Sequence, residues 1–127
     1  MTLKNKLLVA GTLLSATLAI PAQAGSWQQN VTVGNFNKVH VYTPESLSPI
    51  GQGRSLLVVL HGCTQSIDAY LSANLEQAAE SYGMVVAVPD AMNKAGFGCW
   101  SYWQGAKSRT AGDYANILSL VSSMKAN

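Results

Sequence analysis

The sequence predicts an α/β fold, because strand-like and helix-like segments alternate along it. Residues 56–60 and 84–88 are continuously apolar, which is typical of strands that are covered on both faces. Residues 71–82 repeat apolar side chains at spacings of three and four, as a helix does, and a second such stretch follows Thr110. The order strand, helix, strand, helix predicts a βαβα unit built on a parallel sheet.

The first residues have the pattern of an export signal. Two lysines and an apolar run of 14 residues, 7–20, precede small residues that form an A-x-A cleavage pattern ending at Ala24. This pattern predicts a signal peptide over residues 1–24. A transmembrane anchor is the alternative, but a span needs about 20 apolar residues, and this run is shorter. We therefore expect residues 25–127 to be secreted or periplasmic.

The charge of the predicted mature part is balanced. The signal contains two of the eight basic residues, so six basic side chains remain against six acidic ones. Such a surface offers no electrostatic attraction for nucleic acid or anionic lipid. We expect no nucleic-acid partner, no stable membrane anchor and no obligate protein partner. The remaining length suits one small domain.

Local signals predict how individual elements begin and end. Apolar and polar residues alternate on both sides of Gly34 within residues 26–44, which predicts an antiparallel hairpin at a sheet edge, with His40 on its surface. Gly83 is expected to cap the first helix at its C-terminus. The letters TAGD at residues 110–113 predict a capping box at the start of the second helix.

The strand at residues 56–60 leads directly into His61, Gly62 and Cys63. In open α/β sheets, ligands bind at the carboxyl ends of the strands. A glycine at such an end lets a bound group approach the backbone closely, and the N–H groups after it can point at that group. One half of the oxyanion hole of α/β-hydrolases is made in this way.

Four stretches extend this observation to a family. They appear in the order LLVVLHGCTQ, SYGMVVAVPD, GCWSYW and RTAGDYANIL. Together they resemble the secreted poly(3-hydroxybutyrate) (PHB) depolymerase and esterase family of α/β-hydrolases, which is also similar to feruloyl and acetylxylan esterases. The resemblance extends over residues 56–121. It implies a partial three-layer α/β-hydrolase sandwich, in which an N-terminal hairpin precedes the βαβα unit.

The same resemblance implies hydrolysis of carboxylic esters through a serine acyl-enzyme, with no metal ion and no organic cofactor. The substrate would be a hydrophobic polyester, its oligomers or another ester. The backbone N–H of Cys63 would hold the ester carbonyl oxygen, and His61 and Gly62 would support the turn.

The sequence departs from the family pattern in one respect. The family's nucleophilic serine lies in a G-x-S-x-G elbow on the next strand, and its acid and histidine follow later, but the 127 residues contain no such elbow. We expect residues 25–127 to be the N-terminal part of an esterase domain that ends before the nucleophile strand and is inactive alone. The alternatives are a feruloyl or acetylxylan esterase, and a truncated, catalytically dead secreted binding protein.

Other polar residues have simpler interpretations. His61 is not expected to be the triad base, since in this fold the base follows the last strand. Three serines lack the tight glycine-flanked turn of a nucleophile and are interpreted as capping or solvated hydroxyls: Ser66, Ser101 and Ser108. Asp90 is interpreted as a loop or rim residue, and Arg109 and Asp113 as a structural pair near the helix start.

Cys63 and Cys99 are the two cysteines of the chain. Export favours a disulfide between them, and both follow strand ends at the same edge of the sheet. Metal binding is the weaker alternative, because there is no CxxC spacing.

Three aromatic residues, Trp100, Tyr102 and Trp103, lie in the long loop after the second buried strand. A loop of about twenty residues without its own secondary structure is often functional. The aromatic side chains are predicted either to form a rim for a hydrophobic substrate or to pack the loop onto the sheet.

Overall fold

A computed structural model of the chain describes residues 24–51, 53–92, 96–101, 103 and 108–126. The predicted signal peptide, apart from its last residue, and Tyr102 lie outside these residues. The elements are β1 (Ser26–Val33), β2 (Phe36–Thr43), β3 (Ser55–Val58), a 3₁₀ helix (Ile67–Ser72), α1 (Leu75–Tyr82), β4 (Met84–Pro89) and α2 (Gly112–Lys125). None of the helices in the described part is long and apolar enough to span a bilayer.

The four strands form one mixed sheet in the order β1-β2-β4-β3. β3 and β4 are parallel, with Ser55 opposite Met84 and Val58 opposite Ala87, whereas β2 is antiparallel to both β1 and β4. The 3₁₀ helix and α1 connect β3 to β4, so the predicted βαβ unit is present, and the arrangement is compatible with an α/β fold. The predicted parallel sheet is wrong beyond the β3–β4 pair, because β2 joins β4 in the antiparallel direction. Among the described strands, β3 lies at one edge of the sheet and β1 at the other.

The predicted hairpin joins β1 to β2 through Gly34 and Asn35. Gly34 has a φ of 56°, which costs glycine little but strains other residues. It also lies close to α2, since an added Cβ would come 2.8 Å from the Ser119 carbonyl carbon. Gly34 therefore both makes the turn and lets the hairpin approach α2.

The core has two halves, one on each face of the sheet. The half beneath α2 is formed by Phe36, Val39, Val41, Ala87 and Leu120. The half beneath the 3₁₀ helix and α1 is formed by Tyr42, Ile67, Ala79, Val86 and Val88. Successive residues of a strand face opposite sides, so β2 and β4 each contribute to both halves. The structure therefore has three layers: α2 forms the first, the sheet the second, and α1 together with the 3₁₀ helix the third.

The predicted surface position of His40 is wrong. Its side chain is 0% exposed, because β2 is an interior strand and His40 lies beneath the 3₁₀ helix. Its Nδ1 accepts the Asn30 backbone N–H at 3.1 Å, and its Nε2 lies 2.7 Å from Asp68 Oδ1. Since a backbone N–H can only donate, the ring proton is on Nε2, which donates to Asp68. This hydrogen bond is the main reason why the pKa of Asp68 is lowered.

The first predicted helix is divided in two. The 3₁₀ helix and α1 are separated by Asn74, which has a left-handed φ of 56°. The hydroxyl of Ser66 caps the 3₁₀ helix by accepting the Asp68 N–H. Gly83, with a φ of 59°, ends α1 and donates its N–H to the Ala79 carbonyl oxygen, which confirms the predicted C-terminal cap.

The predicted capping box at residues 110–113 is wrong, and so is the predicted pairing of Arg109 with Asp113. α2 begins after Ala111, which makes no side-chain capping bond. The Asp113 carboxylate is buried and accepts both the backbone N–H and the hydroxyl of Ser101. Arg109 is exposed, and in the described part of the chain it makes no ion pair with Asp113. Asp113 therefore connects α2 to the aromatic loop.

Candidate functional site

The turn at residues 61–65 follows β3 at the carboxyl edge of the parallel strand pair. The segment at residues 96–99, which follows β4, reaches the same edge. Cys63 and Cys99 form a disulfide with their Cα atoms 4.2 Å apart, as expected from the sequence. The Thr64 N–H also donates to the Phe97 carbonyl oxygen at 2.6 Å. The turn and the loop are therefore joined by one covalent bond and one hydrogen bond.

The His61 ring is buried behind the turn and has partners on both nitrogens. Nε2 accepts the Ala91 backbone N–H at 2.9 Å, and Nδ1 lies 2.7 Å from the Gly62 carbonyl oxygen. Because the Ala91 N–H must donate, the proton of a neutral ring is on Nδ1, which donates to Gly62. With both nitrogens engaged in this way, the ring is built to support the turn and is not free to act as a base.

The backbone N–H groups of the turn have different partners. The Gly62 N–H donates to Gln65 Oε1 at 2.9 Å, the Thr64 N–H to Phe97, and the Gln65 N–H to the Gly62 carbonyl oxygen at 3.3 Å. The N–H of Cys63 has no acceptor among the described residues. The N–H of His61 also has no acceptor among the described residues, but His61 is buried, whereas Cys63 is exposed, so of these two donors the Cys63 N–H is the one that belongs to an exposed residue.

The space around this donor is open on the Gly62 side. A Cβ added to Gly62 would meet only Gln65 Oε1, at 3.5 Å, so nothing else in the described part crowds that side of the backbone. Thr64 has a φ of 60°, a left-handed conformation that costs a β-branched residue about 1–3 kcal/mol. Its hydroxyl donates to the Cys63 carbonyl oxygen at 2.6 Å. Strain of this kind persists only where surrounding contacts hold it.

The described aromatic residues of the loop have different positions. Trp100 is partly buried and packs edge-on against Phe36, with ring centroids 5.9 Å apart. Trp103 is 49% exposed. Trp100 thus packs the loop onto the sheet, whereas Trp103 and Phe97, which is 83% exposed, leave their side chains accessible.

Two cavities differ in their distance from the turn. A cavity of about 160 Å³ lies beside it, lined by Leu60, Trp100, Asp113, Tyr114 and Ile117. A groove of about 990 Å³ lies between the sheet and the end of α2, and no residue of the turn lines it. Of these two, the smaller cavity is nearer the candidate site, because Leu60 directly precedes the turn and Trp100 hydrogen-bonds to His61.

The candidate serines serve local structure in the described part of the chain. Ser66 caps the 3₁₀ helix, Ser101 binds Asp113, and Ser108 Oγ lies 3.3 Å from Thr110 Oγ1. None of these hydroxyls bonds to a histidine ring, as a nucleophile activated by a base would. Among the described residues, no three His, Cys, Asp or Glu side chains come together in a way that could hold a metal ion.

Gln65 and Tyr70 are the residues of the site that sequence reasoning missed. The Tyr70 hydroxyl donates to Gln65 Oε1 at 2.9 Å, where the Gly62 N–H also donates. The spacing of three residues between Gly62 and Gln65 is the available signal, because it suits a turn that a side chain can close.

Two comparisons with known proteins show what this chain is similar to. A family model described as "Esterase PHB depolymerase" matches residues 42–127. A poly(3-hydroxybutyrate) depolymerase of Ralstonia pickettii is 34% identical to this chain over an alignment of 125 positions; the match covers 86% of this chain and 25% of the relative. The chain therefore spans about a quarter of the length of this relative.

Proposed function

The chain belongs to the PHB depolymerase family of esterases, and from this premise we propose that it forms the N-terminal portion of a secreted α/β-hydrolase domain. The domain cleaves ester bonds of a hydrophobic polyester or its oligomers. The three-layer βαβα arrangement, the hairpin before it and the position of the turn at the strand ends support this proposal. The export pattern at residues 1–24 and the disulfide are consistent with a secreted or periplasmic location.

The observation that carries the proposal is the N–H of Cys63, which has no acceptor among the described residues. When a serine attacks an ester carbonyl, negative charge develops on the carbonyl oxygen, and a fixed N–H donor stabilises it. Collapse of that intermediate expels the alcohol and leaves an acyl-serine, which water then hydrolyses. In this fold, one donor comes from the loop after the third strand and one from the residue after the nucleophile. Cys63 would be the first of these donors.

The nucleophile itself is proposed to lie outside these 127 residues, which contain no G-x-S-x-G. The substrate is proposed to be a polyester of the PHB type, with feruloyl or acetylxylan esters as the alternative. Trp103 is proposed as part of the rim that contacts an apolar substrate, because its side chain is half exposed and it follows Cys99, which the disulfide joins to the turn.

A second candidate is a catalytically dead secreted protein that binds a hydrophobic surface. Phe97 and Trp103, which are 83% and 49% exposed, favour it, since they belong to one loop and exposed apolar surface often marks a binding site. Adsorption of the purified chain to PHB particles, without release of soluble products, would support this second candidate.

Comparing Cys63→Pro with Cys63→Ser in the full-length protein with its triad intact tests the proposal. Both variants lose the disulfide, but only proline also removes the N–H donor. Loss of one oxyanion donor costs about 10²- to 10³-fold in kcat, so we expect Cys63→Pro to be slower than Cys63→Ser by roughly that factor. Circular dichroism must show that both fold. Equal kcat values in folded variants would overturn the assignment of Cys63.

A further inference from the structure

We infer that Gln65 is a positioning residue for the oxyanion turn, an inference that rests on the proposed function of Cys63. Its side chain holds the Gly62 N–H and its backbone helps to hold the Gly62 carbonyl oxygen. Together these two contacts aim the N–H of Cys63 away from the protein, toward the place where the ester oxygen would lie.

The orientation of the Gln65 amide follows from its partners. Oε1 is approached by two donors, the Gly62 N–H and the Tyr70 hydroxyl, each at 2.9 Å. Two donors can share a carbonyl oxygen, which has two lone pairs, but not an amide NH₂ group. Tyr70 lies on the 3₁₀ helix, which is anchored by the fully buried Ile67. The Gln65 amide is therefore held by the 3₁₀ helix and in turn holds the backbone of the turn.

The carbonyl oxygen of Gly62 and the N–H of Cys63 belong to one peptide unit. A trans peptide is planar, with its oxygen and its N–H on opposite sides. The Gly62 oxygen accepts two hydrogen bonds, one from His61 Nδ1 and one from the Gln65 N–H. Because these bonds fix the direction of the oxygen, they also fix the opposite direction of the Cys63 N–H.

Gln65 also binds the Gly62 N–H, a second donor of the turn that could otherwise compete with the Cys63 N–H. Without an acceptor at Oε1, the Gly62 N–H would be unbonded, and the turn could rotate between two orientations of its N–H groups. An oxyanion donor is effective because its orientation is already set when charge develops. Loss of the Gln65 acceptor should therefore lower kcat, while KM, which reflects ground-state binding, changes little.

The test uses Gln65→Leu in the full-length protein with its triad, with Gln65→Asn as a second variant whose shorter side chain cannot reach the Gly62 N–H. Gln77→Leu is the matched control, since Gln77 is an exposed glutamine of α1 whose Oε1 also accepts a side-chain hydrogen bond, from Asn74 Nδ2. We expect both Gln65 variants to lose about 10-fold or more in kcat, less than full removal of a donor, with KM within about two-fold. Gln77→Leu should behave as wild type.

Amide hydrogen exchange gives a second readout that does not depend on catalysis. The Gly62 amide should exchange faster in both Gln65 variants, whereas the Cys63 amide should exchange fast in wild type already. An unchanged kcat, or an unchanged Gly62 exchange rate, in either folded Gln65 variant would overturn the inference. Equal kcat values for Cys63→Pro and Cys63→Ser would instead overturn the proposed function, so the two failures are distinguishable.

Discussion

The indole Nε1–H of Trp100 donates a hydrogen bond to the carbonyl oxygen of His61 at 2.9 Å, across 39 residues of sequence. The two rings also contact each other, with centroids 5.4 Å apart. This pair connects the loop after β4 to the first residue of the turn at residues 61–65. Trp100 therefore supports the turn from behind, in addition to packing against Phe36.

Trp100→Phe should destabilise the protein, because it keeps an aromatic ring but leaves the buried His61 carbonyl oxygen without this donor. An unsatisfied buried acceptor costs about 1–3 kcal/mol in the free energy of unfolding, which urea denaturation can measure. Trp27→Phe is a matched control. Its indole donates to the Glu76 carboxylate, which is partly exposed and can be hydrated instead. Equal losses for the two variants would contradict the supporting role of Trp100.

The Cys63–Cys99 disulfide should be present in protein isolated from the periplasm or medium. It spans a sequence separation of 36 residues, for which the chain-entropy estimate of stabilisation is roughly 4 kcal/mol. Mass spectrometry of a non-reduced digest should detect the linked peptides, and reduction should lower the urea midpoint. Two free thiols in exported protein would contradict the pairing.

Gly83→Ala should be far more destabilising than Gly51→Ala. Both glycines have a positive φ, 59° and 77°, so both variants carry backbone strain of about 1–2 kcal/mol. At Gly83, however, a Cβ would lie 2.1 Å from the carbonyl carbon of Leu47, whereas at Gly51 no described atom lies within 4 Å. Displacing packed backbone adds about 1–3 kcal/mol. Thermal unfolding of the two variants measures the difference, and similar melting temperatures would contradict it.

Tyr42 should make stability sensitive to alkaline pH. Burial, together with the hydrogen bond that its hydroxyl donates to Glu80, raises the pKa of Tyr42 from 10.0 to about 12. The unfolded chain therefore releases this proton at lower pH than the folded protein does. The stabilising contribution is complete below about pH 10 and is lost as pH rises toward 12.

Tyr42→Phe provides the control for this pH dependence. Between pH 9 and pH 11, the free energy of unfolding should fall more steeply with pH for wild type than for Tyr42→Phe. The absorbance titration of wild type should include one tyrosine that ionises later than the others and is missing in the variant. Identical slopes in the two proteins would show that the Tyr42 hydroxyl is not protected.

The 127-residue chain alone should hydrolyse no ester above background. Residues of a catalytic triad act as a unit, and removal of one of them already costs several orders of magnitude in kcat. A p-nitrophenyl ester assay on purified chain is the measurement. Turnover that a serine-directed fluorophosphonate abolishes would mean that these residues contain a nucleophile after all.

The sequence by itself determined the elements that depend on neighbouring residues. The apolar runs predicted β3 and β4, the alternation around Gly34 predicted the hairpin, and Gly83 predicted the end of α1. These signals are local, because strand and helix periods and left-handed glycine caps are properties of short segments. The same reasoning predicted a ligand site after β3, since strand ends in a parallel sheet have a known relation to ligands.

Only the tertiary structure decided which side chains meet across the chain. The sequence predicted a surface position for His40. In the structure β4 pairs with β2, and the 3₁₀ helix covers His40, so its imidazole is buried against Asp68. The sequence predicted that Asp113 is part of a helix cap, but its carboxylate instead accepts hydrogen bonds from Ser101. Contacts of the turn with His61, Gln65 and the loop after β4 decide which N–H groups of the turn lack an acceptor among the described residues. These partners are distant in sequence or lie in irregular backbone. The periodic patterns of a sequence indicate helices and strands but do not predict contacts of this kind.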